Sequence, residues 1–264
     1  MPEPGPKPGP QPGLLLDIAD GTATVTISNP AKRNAMTTEM WEALPRLLDG
    51  LASDPAVRVL VLTGADGTFC AGADISGLRE AGSGSARTQD AAVRAEEALA
   101  AFPKPTIAAV RGFCVGGGCQ LAAACDLRFA AEGARFGVTP ARLGIVYAAS
   151  STRRLVGLVG PATAKYLLFS AELIDHERAL RTGLVDEVLP DEQLDKRVAE
   201  FTAVLASRSQ LTQAAAKEFA APGLDPSRIE HWERQARASG DTAEGVAAFL
   251  EGRPARFAWS PTAG

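Results

Sequence analysis

Two glycine-rich segments, roughly 44 residues apart, hold the residues best suited to do chemistry. The first is Phe69-Cys70-Ala71-Gly72-Ala73-Asp74-Ile75, and the second is Gly112-Phe113-Cys114-Val115-Gly116-Gly117-Gly118-Cys119-Gln120. Turns stripped of bulky side chains can aim backbone N–H groups at one point, which is how a chain builds an oxyanion hole without polar side chains. A helix starting directly behind one donor adds a potential that favours developing negative charge.

The elements that must position these turns are legible around them. The apolar runs Val57–Thr63 and Thr106–Val110 read as buried strands, one before each turn, and Cys119–Cys125 reads as a helix after the second. Leu14–Ile18 and Thr22–Ser28 flank Ala19-Asp20-Gly21 as a hairpin. Thr37 or Thr38 can cap a helix through Met40, Trp41, Leu44, Leu47 and Leu51. Gly77–Thr88, rich in Gly, Ser and Ala, reads as a mobile loop before a helix over about 91–101. Leu127–Ala130 reads as a further strand. Helical spacing then recurs over Pro161–Phe169, His176–Thr182, Glu192–Ser207, Leu211–Phe219, Ser227–Ala238 and Thr242–Glu251. This order predicts an α/β core of stacked β-β-α units followed by a helical C-terminal region, whose spare apolar residues suit oligomerisation. The expected divisions are a disordered Pro-rich tail over 1–13, a core over 14–200 and the helical region over 201–264.

Composition narrows the function classes. Hydrophobic residues make up 46% of the 264, and no membrane-length apolar run interrupts them, so a membrane partner is not expected. A net charge of −4 without a basic tract argues against nucleic acid as a partner. Met1–Gly13, with proline at alternate positions and no apolar stretch, reads as a solvated polyproline-type tail and not a signal peptide. Cys70, Cys114, Cys119 and Cys125 form no C-x-x-C pair, and with two distant histidines no metal site is expected. They read as small buried apolar residues of a chain in a reducing compartment, hence cytoplasmic. His176 and His231 read as structural. P-loop, G-x-S-x-G and H-E-x-x-H motifs are absent.

Taken together and in order, several segments resemble the enoyl-CoA hydratase/isomerase (crotonase) family. These are Asn29-Pro30-Ala31-Lys32-Arg33-Asn34-Ala35, Ala71–Ile75, Gly116–Cys119, Cys125-Asp126-Leu127-Arg128, Ala179–Val185 and Glu244–Phe257. The resemblance implies a crotonase-type superhelix of β-β-α units, an acyl-CoA thioester substrate, no permanently bound cofactor, and a homotrimer or hexamer. It implies oxyanion donors at the N–H groups of Ala73 and Gly117, each worth about 2.7–4 kcal/mol in the transition state. It also implies coenzyme A contacts at Lys32, Arg33, Ala35, Ala71, Asp74 and Ile75. A late basic contact to a coenzyme A phosphate falls at Gly252, beside Arg253.

The sequence departs from the family where hydratases carry two glutamates. Gln120 and Pro140 occupy those places, and neither can ionise, so activation of water or abstraction of a proton lacks its base. The residues expected in the pocket are instead Thr139, Tyr147 and Gln120, with Ser150 or Ser151 as further candidates. Thr139-Pro140-Ala141-Arg142-Leu143-Gly144-Ile145-Val146-Tyr147 resembles a T-P-x-x-L-G-x-x-Y stretch of methylmalonyl-CoA decarboxylase, a crotonase-family enzyme. Loss of carbon dioxide makes an enolate without a base, and a carboxylate beside the substrate would repel it. Decarboxylation of a malonyl-type thioester, residual hydration, and acyl-CoA binding without turnover all stay open at this point.

Overall fold

The computed structural model describes residues 11–74, 83–221 and 223–261. A hairpin of β1 (Gly13–Ala19) and β2 (Thr22–Ser28) opens the chain, turning through Asp20 and Gly21 in left-handed backbone. Inward positions of β2 alternate as Ala23, Val25 and Ile27, the period of a half-buried strand. Thr37 caps α1 (Thr38–Ser53), its hydroxyl accepting from Met40 N at 3.3 Å. Then follow β3 (Val59–Gly64), α2 (Ser83–Ala100), β4 (Thr106–Val110), β5 (Phe113–Val115), α3 (Gly117–Ala124), β6 (Leu127–Ala131) and β7 (Arg135–Gly137). The chain continues through α4 (Ala149–Ser170), β8 (Ile174–Asp175), α5 (His176–Thr182) and β9 (Glu187–Leu189). It ends in α6 (Asp191–Ala206), α7 (Gln210–Ala220), α8 (Pro226–Ser239) and α9 (Asp241–Glu251).

Six strands form one sheet in the order β1-β2-β3-β4-β6-β9, parallel throughout except for the opening hairpin, and β5, β7 and β8 form a smaller second sheet. The central strands are apolar on both faces because both faces are covered. Leu60, Leu62, Ala108, Val110 and Ala130 join the main core, together with Trp41, Phe69 and Phe136. Their alternates Val59, Val61, Ile107, Ala109 and Phe129 pack instead against Leu194 and Val198 of α6. The boundary expected at residue 200 therefore falls inside a helix that covers the sheet. Stacked sheets followed by C-terminal helices are the α/β architecture expected from the sequence.

One expectation is corrected and one is extended. Of the segment read as a mobile loop, residues 77–82 lie outside the described residues, but from Ser83 the chain is already helical. Tertiary ties override weak local propensity there: Arg87 grips Glu42 of α1 through two hydrogen bonds of 2.8 Å, and the Thr88 and Thr38 hydroxyls meet at 2.6 Å. The helix expected over Pro161–Phe169 is present, and a helical stretch from Ala149 that was not expected precedes it in α4. Ser151, Leu155 and Val159 bury one stripe before a break at Gly160, whose φ of 73° lets the chain re-enter a helix at Pro161.

Candidate active site

The two glycine-rich turns meet. Cys70 N donates to Phe113 O at 2.8 Å and Val115 N to Cys70 O at 2.9 Å, so the first turn runs as a short parallel bridge along β5. On its other side Met36 N donates to Gly72 O and Asp74 N to Met36 O, both at 2.8 Å. These bonds hold Ala73 in place while leaving its own N–H with no backbone acceptor among the described residues. Gly116, fixed by a bond from its N–H to Gly137 O at 2.8 Å, precedes α3, so the N–H of Gly117 is one of the unpaired donors of a helix start.

Only glycine fits at this junction. Gly72 has φ 103°, and a Cβ there would stand 3.1 Å from Val115 O; Gly116 has φ 58°. A Cβ built on Gly117 would stand 4.0 Å from Ala73 N, so the two residues that carry these donors lie side by side at one place. That spot is the wall of a cavity of about 300 Å³, bordered also by Trp41, Thr139, Pro140 and Tyr147. A Cβ on Gly116 would lie 3.6 Å from the Tyr147 hydroxyl and 3.8 Å from Thr139 Oγ1, so both hydroxyls approach the second turn. Burial, then Cys119 and Glu96, push the Tyr147 hydroxyl pKa up, keeping it protonated.

Gln120 is not brought to the cavity. It is buried one turn into α3, and neither amide atom has a partner among the described residues. Ser151 does line the cavity. Ala71 does too, and its N–H donates to Arg33 O at 3.0 Å, placing the Lys32–Arg33 segment beside this rim. Lys32 Nζ meets Asp74 Oδ2 at 2.7 Å, Arg33 lies over the Phe113 ring, and Ala35 is buried under Asn29, which donates to its carbonyl at 2.7 Å. Ile75 lies outside the described residues. Arg253 is engaged by Glu244 and Glu251 at 2.7 and 2.6 Å.

The expectation that the pocket lacks an ionisable base is corrected. Glu96 of α2 lines the cavity at 4% exposure and accepts a hydrogen bond from Ser151. The pattern that could have found it is present: Ala91, Ala95 and Leu99 form the buried stripe of α2, and Glu96 follows Ala92 by four on the adjoining row. A carboxylate on an apolar helix face carries information. The cysteines, by contrast, are as expected: all four are free and buried, and burial pushes Cys70 and Cys125 up to about 12, leaving inert thiols. His176 starts α5 and accepts from Gly133 N at 3.1 Å, while His231 packs edge-on against Trp232. Neither borders the cavity. Among the described residues no cluster of His, Cys, Asp or Glu could hold a metal ion, and no helix is long and apolar enough to cross a membrane.

Fold and cavity together define an α/β protein whose two glycine-rich turns border one apolar pocket. Residues 17–259 match the enoyl-CoA hydratase/isomerase family, and the chain belongs to it. It is 36% identical over 252 residues to crotonyl-CoA hydratase of Syntrophomonas wolfei, covering 92% of this chain and 97% of that protein. It is 33% identical over 239 residues to 2,3-dehydroadipyl-CoA hydratase of Escherichia coli, covering 88% and 93%. A solved enoyl-CoA hydratase/isomerase family member superposes with TM-score 0.87 at 39% identity, covering 96% of this chain and 99% of that one. The chain is an acyl-CoA thioester-processing enzyme.

Proposed function

We propose that this enzyme holds the thioester oxygen of an acyl-CoA between the N–H groups of Ala73 and Gly117 and carries the substrate through an enolate. The observation behind this is the pairing of two unpartnered backbone donors on one cavity wall. As the α-carbon gains carbanion character, negative charge moves to the oxygen. Fixed donors in a pocket walled by Trp41 and Pro140 stabilise it without reorganisation. Coenzyme A would lie along the rim of Lys32, Arg33, Ala35, Ala71 and Asp74, with Ile75 carried over from the family resemblance. Relatives named for hydrating crotonyl-CoA and 2,3-dehydroadipyl-CoA support an enoyl-type acyl group. Gln120 and Pro140 replace the glutamate pair expected of a hydratase, which supports an enolate made by some other route.

Decarboxylation is the second reading. It is favoured by the approach of the Tyr147 and Thr139 hydroxyls to Gly116, where they could orient a carboxylate leaving as carbon dioxide. The exposed side chains of Val246, Phe249 and Leu250 on α9 support a homotrimer or hexamer. Four unpaired thiols support a cytoplasmic location.

The test is mass spectrometry of purified protein with crotonyl-CoA, 3-hydroxybutyryl-CoA, malonyl-CoA and methylmalonyl-CoA, with Ala73→Pro as control. Turnover that Ala73→Pro abolishes supports the oxyanion assignment, and loss of carbon dioxide selects the second reading. Undiminished turnover by a folded Ala73→Pro protein sinks the assignment. Tight binding of every thioester with no turnover would return the chain to a binding protein.

A further inference from the structure

Glu96 is a buried carboxylate with few polar partners among the described residues. Its hydrogen-bond partner is the Ser151 hydroxyl on α4. The Arg154 Nη1 nitrogen stands 3.8 Å from Glu96 Oε2, too far for a hydrogen bond. The other terminal nitrogen of Arg154 donates to Glu97 at 3.0 Å, and Nη1 itself has no hydrogen-bond partner among the described residues. A carboxylate buried for stability is paired and fully hydrogen-bonded, because an underpaired buried charge is costly. Among the described residues Glu96 keeps one hydroxyl and one cation at a distance, and it lines the cavity that Ala73 and Gly117 also border.

We propose that Glu96, from α2, is the proton-transferring carboxylate of this cavity, and that Ser151 positions it. This rests on the enolate reading above. The Glu96 carboxylate takes a proton from the α-carbon of the bound thioester. The C–H electron pair forms the enolate double bond, and the carbonyl π pair moves onto the oxygen held by Ala73 and Gly117. When the enolate collapses, the γ-carbon of an unsaturated chain takes the proton back from the Glu96 acid. Electrons and protons balance with no co-reactant. One carboxylate suffices because the group that receives the proton returns it, whereas addition of water needs a base and an acid at once. The favoured substrate class is therefore a β,γ-unsaturated acyl thioester, converted to its α,β isomer.

The electrostatics fit a two-way carrier. Burial pushes Glu96 up to about 7, against the Ser151 hydrogen bond and Arg154, which lower it; Glu97 raises it. Among the described residues those groups and the Tyr147 hydroxyl act on it, and the Asp90 carboxylate lines the same cavity. Near neutral pH both the base and the acid are populated.

The experiment follows isomerisation of 3-butenoyl-CoA and deuterium uptake from heavy water by the full-length protein. Glu96→Gln is expected to lower kcat at least about 100-fold with KM nearly unchanged. Ser151→Ala removes a bond that lowers the Glu96 pKa, so the rising limb of the kcat–pH profile is expected to move to higher pH. A purely structural Ser151 would leave that limb in place. Folding of each variant is checked by circular dichroism, and if Glu96→Gln does not fold, the Ser151→Ala profile decides. Isomerisation by wild type that survives in Glu96→Gln overturns the assignment of Glu96, and a limb that stays put in Ser151→Ala overturns the positioning of Glu96 by Ser151. A wild type that binds 3-butenoyl-CoA yet neither isomerises nor exchanges it overturns this proposal; the enolate reading falls with it only if malonyl-CoA and methylmalonyl-CoA also go unchanged.

Discussion

Replacing Glu96 by Gln should change how stability depends on pH, whatever the substrate proves to be. The folded protein holds this carboxyl at about 7 against an ordinary 4.5, chiefly through burial. A carboxyl raised on folding binds its proton more tightly in the native state. Its contribution is therefore intact below the unfolded pKa and is lost as pH rises toward and through 7. Each pH unit of that gap is worth about 1.4 kcal/mol, giving about 3 kcal/mol in all, of which about 2 to 3 falls between pH 5 and pH 8. At 4% exposure little solvent screening reduces it. Glutamine is neutral throughout and of the same size. Acidic groups shifted the other way, such as Glu39 and Asp175, are common to both proteins and cancel. Urea unfolding at pH 5 and pH 8, at one fixed protein concentration, should show Glu96→Gln gaining on wild type by that amount as pH rises. Two proteins whose stabilities change in parallel would refute the claim that Glu96 is desolvated and underpaired.

Three further outcomes follow from the same geometry. Tyr147→Phe should lower turnover more than it lowers the thermal midpoint, since the hydroxyl lies beside Gly116 while the ring packs against the main core; an unchanged rate would make Tyr147 a packing residue only. Gly118→Ala places a Cβ 2.4 Å from Cys70 O, forcing the two turns apart. It should cost about 1–3 kcal/mol of stability and most of the activity, and an active, equally stable variant would contradict the close contact of the turns. Lys32→Ala should raise KM for coenzyme A thioesters while sparing kcat. The Lys32 side chain is 45% exposed, so stability should fall by no more than about 1 kcal/mol; a loss in kcat alone would move Lys32 out of the coenzyme A rim.

What could be read in the sequence was local and tightly constrained. Gly72 and Gly116 occupy backbone that side chains rarely adopt, so their pattern announces the turns, and the strands before them are short unbroken apolar runs. Thr139 and Tyr147 entered through the resemblance of their segment to a T-P-x-x-L-G-x-x-Y stretch of a family member, and both hydroxyls approach Gly116. The remainder depended on contacts between distant segments. Ser83–Thr88 looks like a loop until Arg87 and Thr88 find α1, and β5 and β7 are three-residue strands that exist through pairing with distant segments, β5 with β7 and β7 with β8. Glu96 was hidden because helix spacing says which face a residue occupies and not what that face meets. The face of α2 that carries it meets α3, α4 and the cavity instead of solvent. Gln120 shows the reverse: its place in the motif suggested the pocket, and the packing of α3 turned it into the core.

The central claim is that the N–H groups of Ala73 and Gly117 grip the thioester oxygen. Isotope-edited infrared difference spectroscopy of crotonyl-CoA carrying carbon-13 at the thioester carbonyl reads that contact directly. A shift of the carbonyl stretch to lower frequency on binding, lost in Ala73→Pro, is the expected result. A bound ligand whose carbonyl band stays where it is in water would contradict the account.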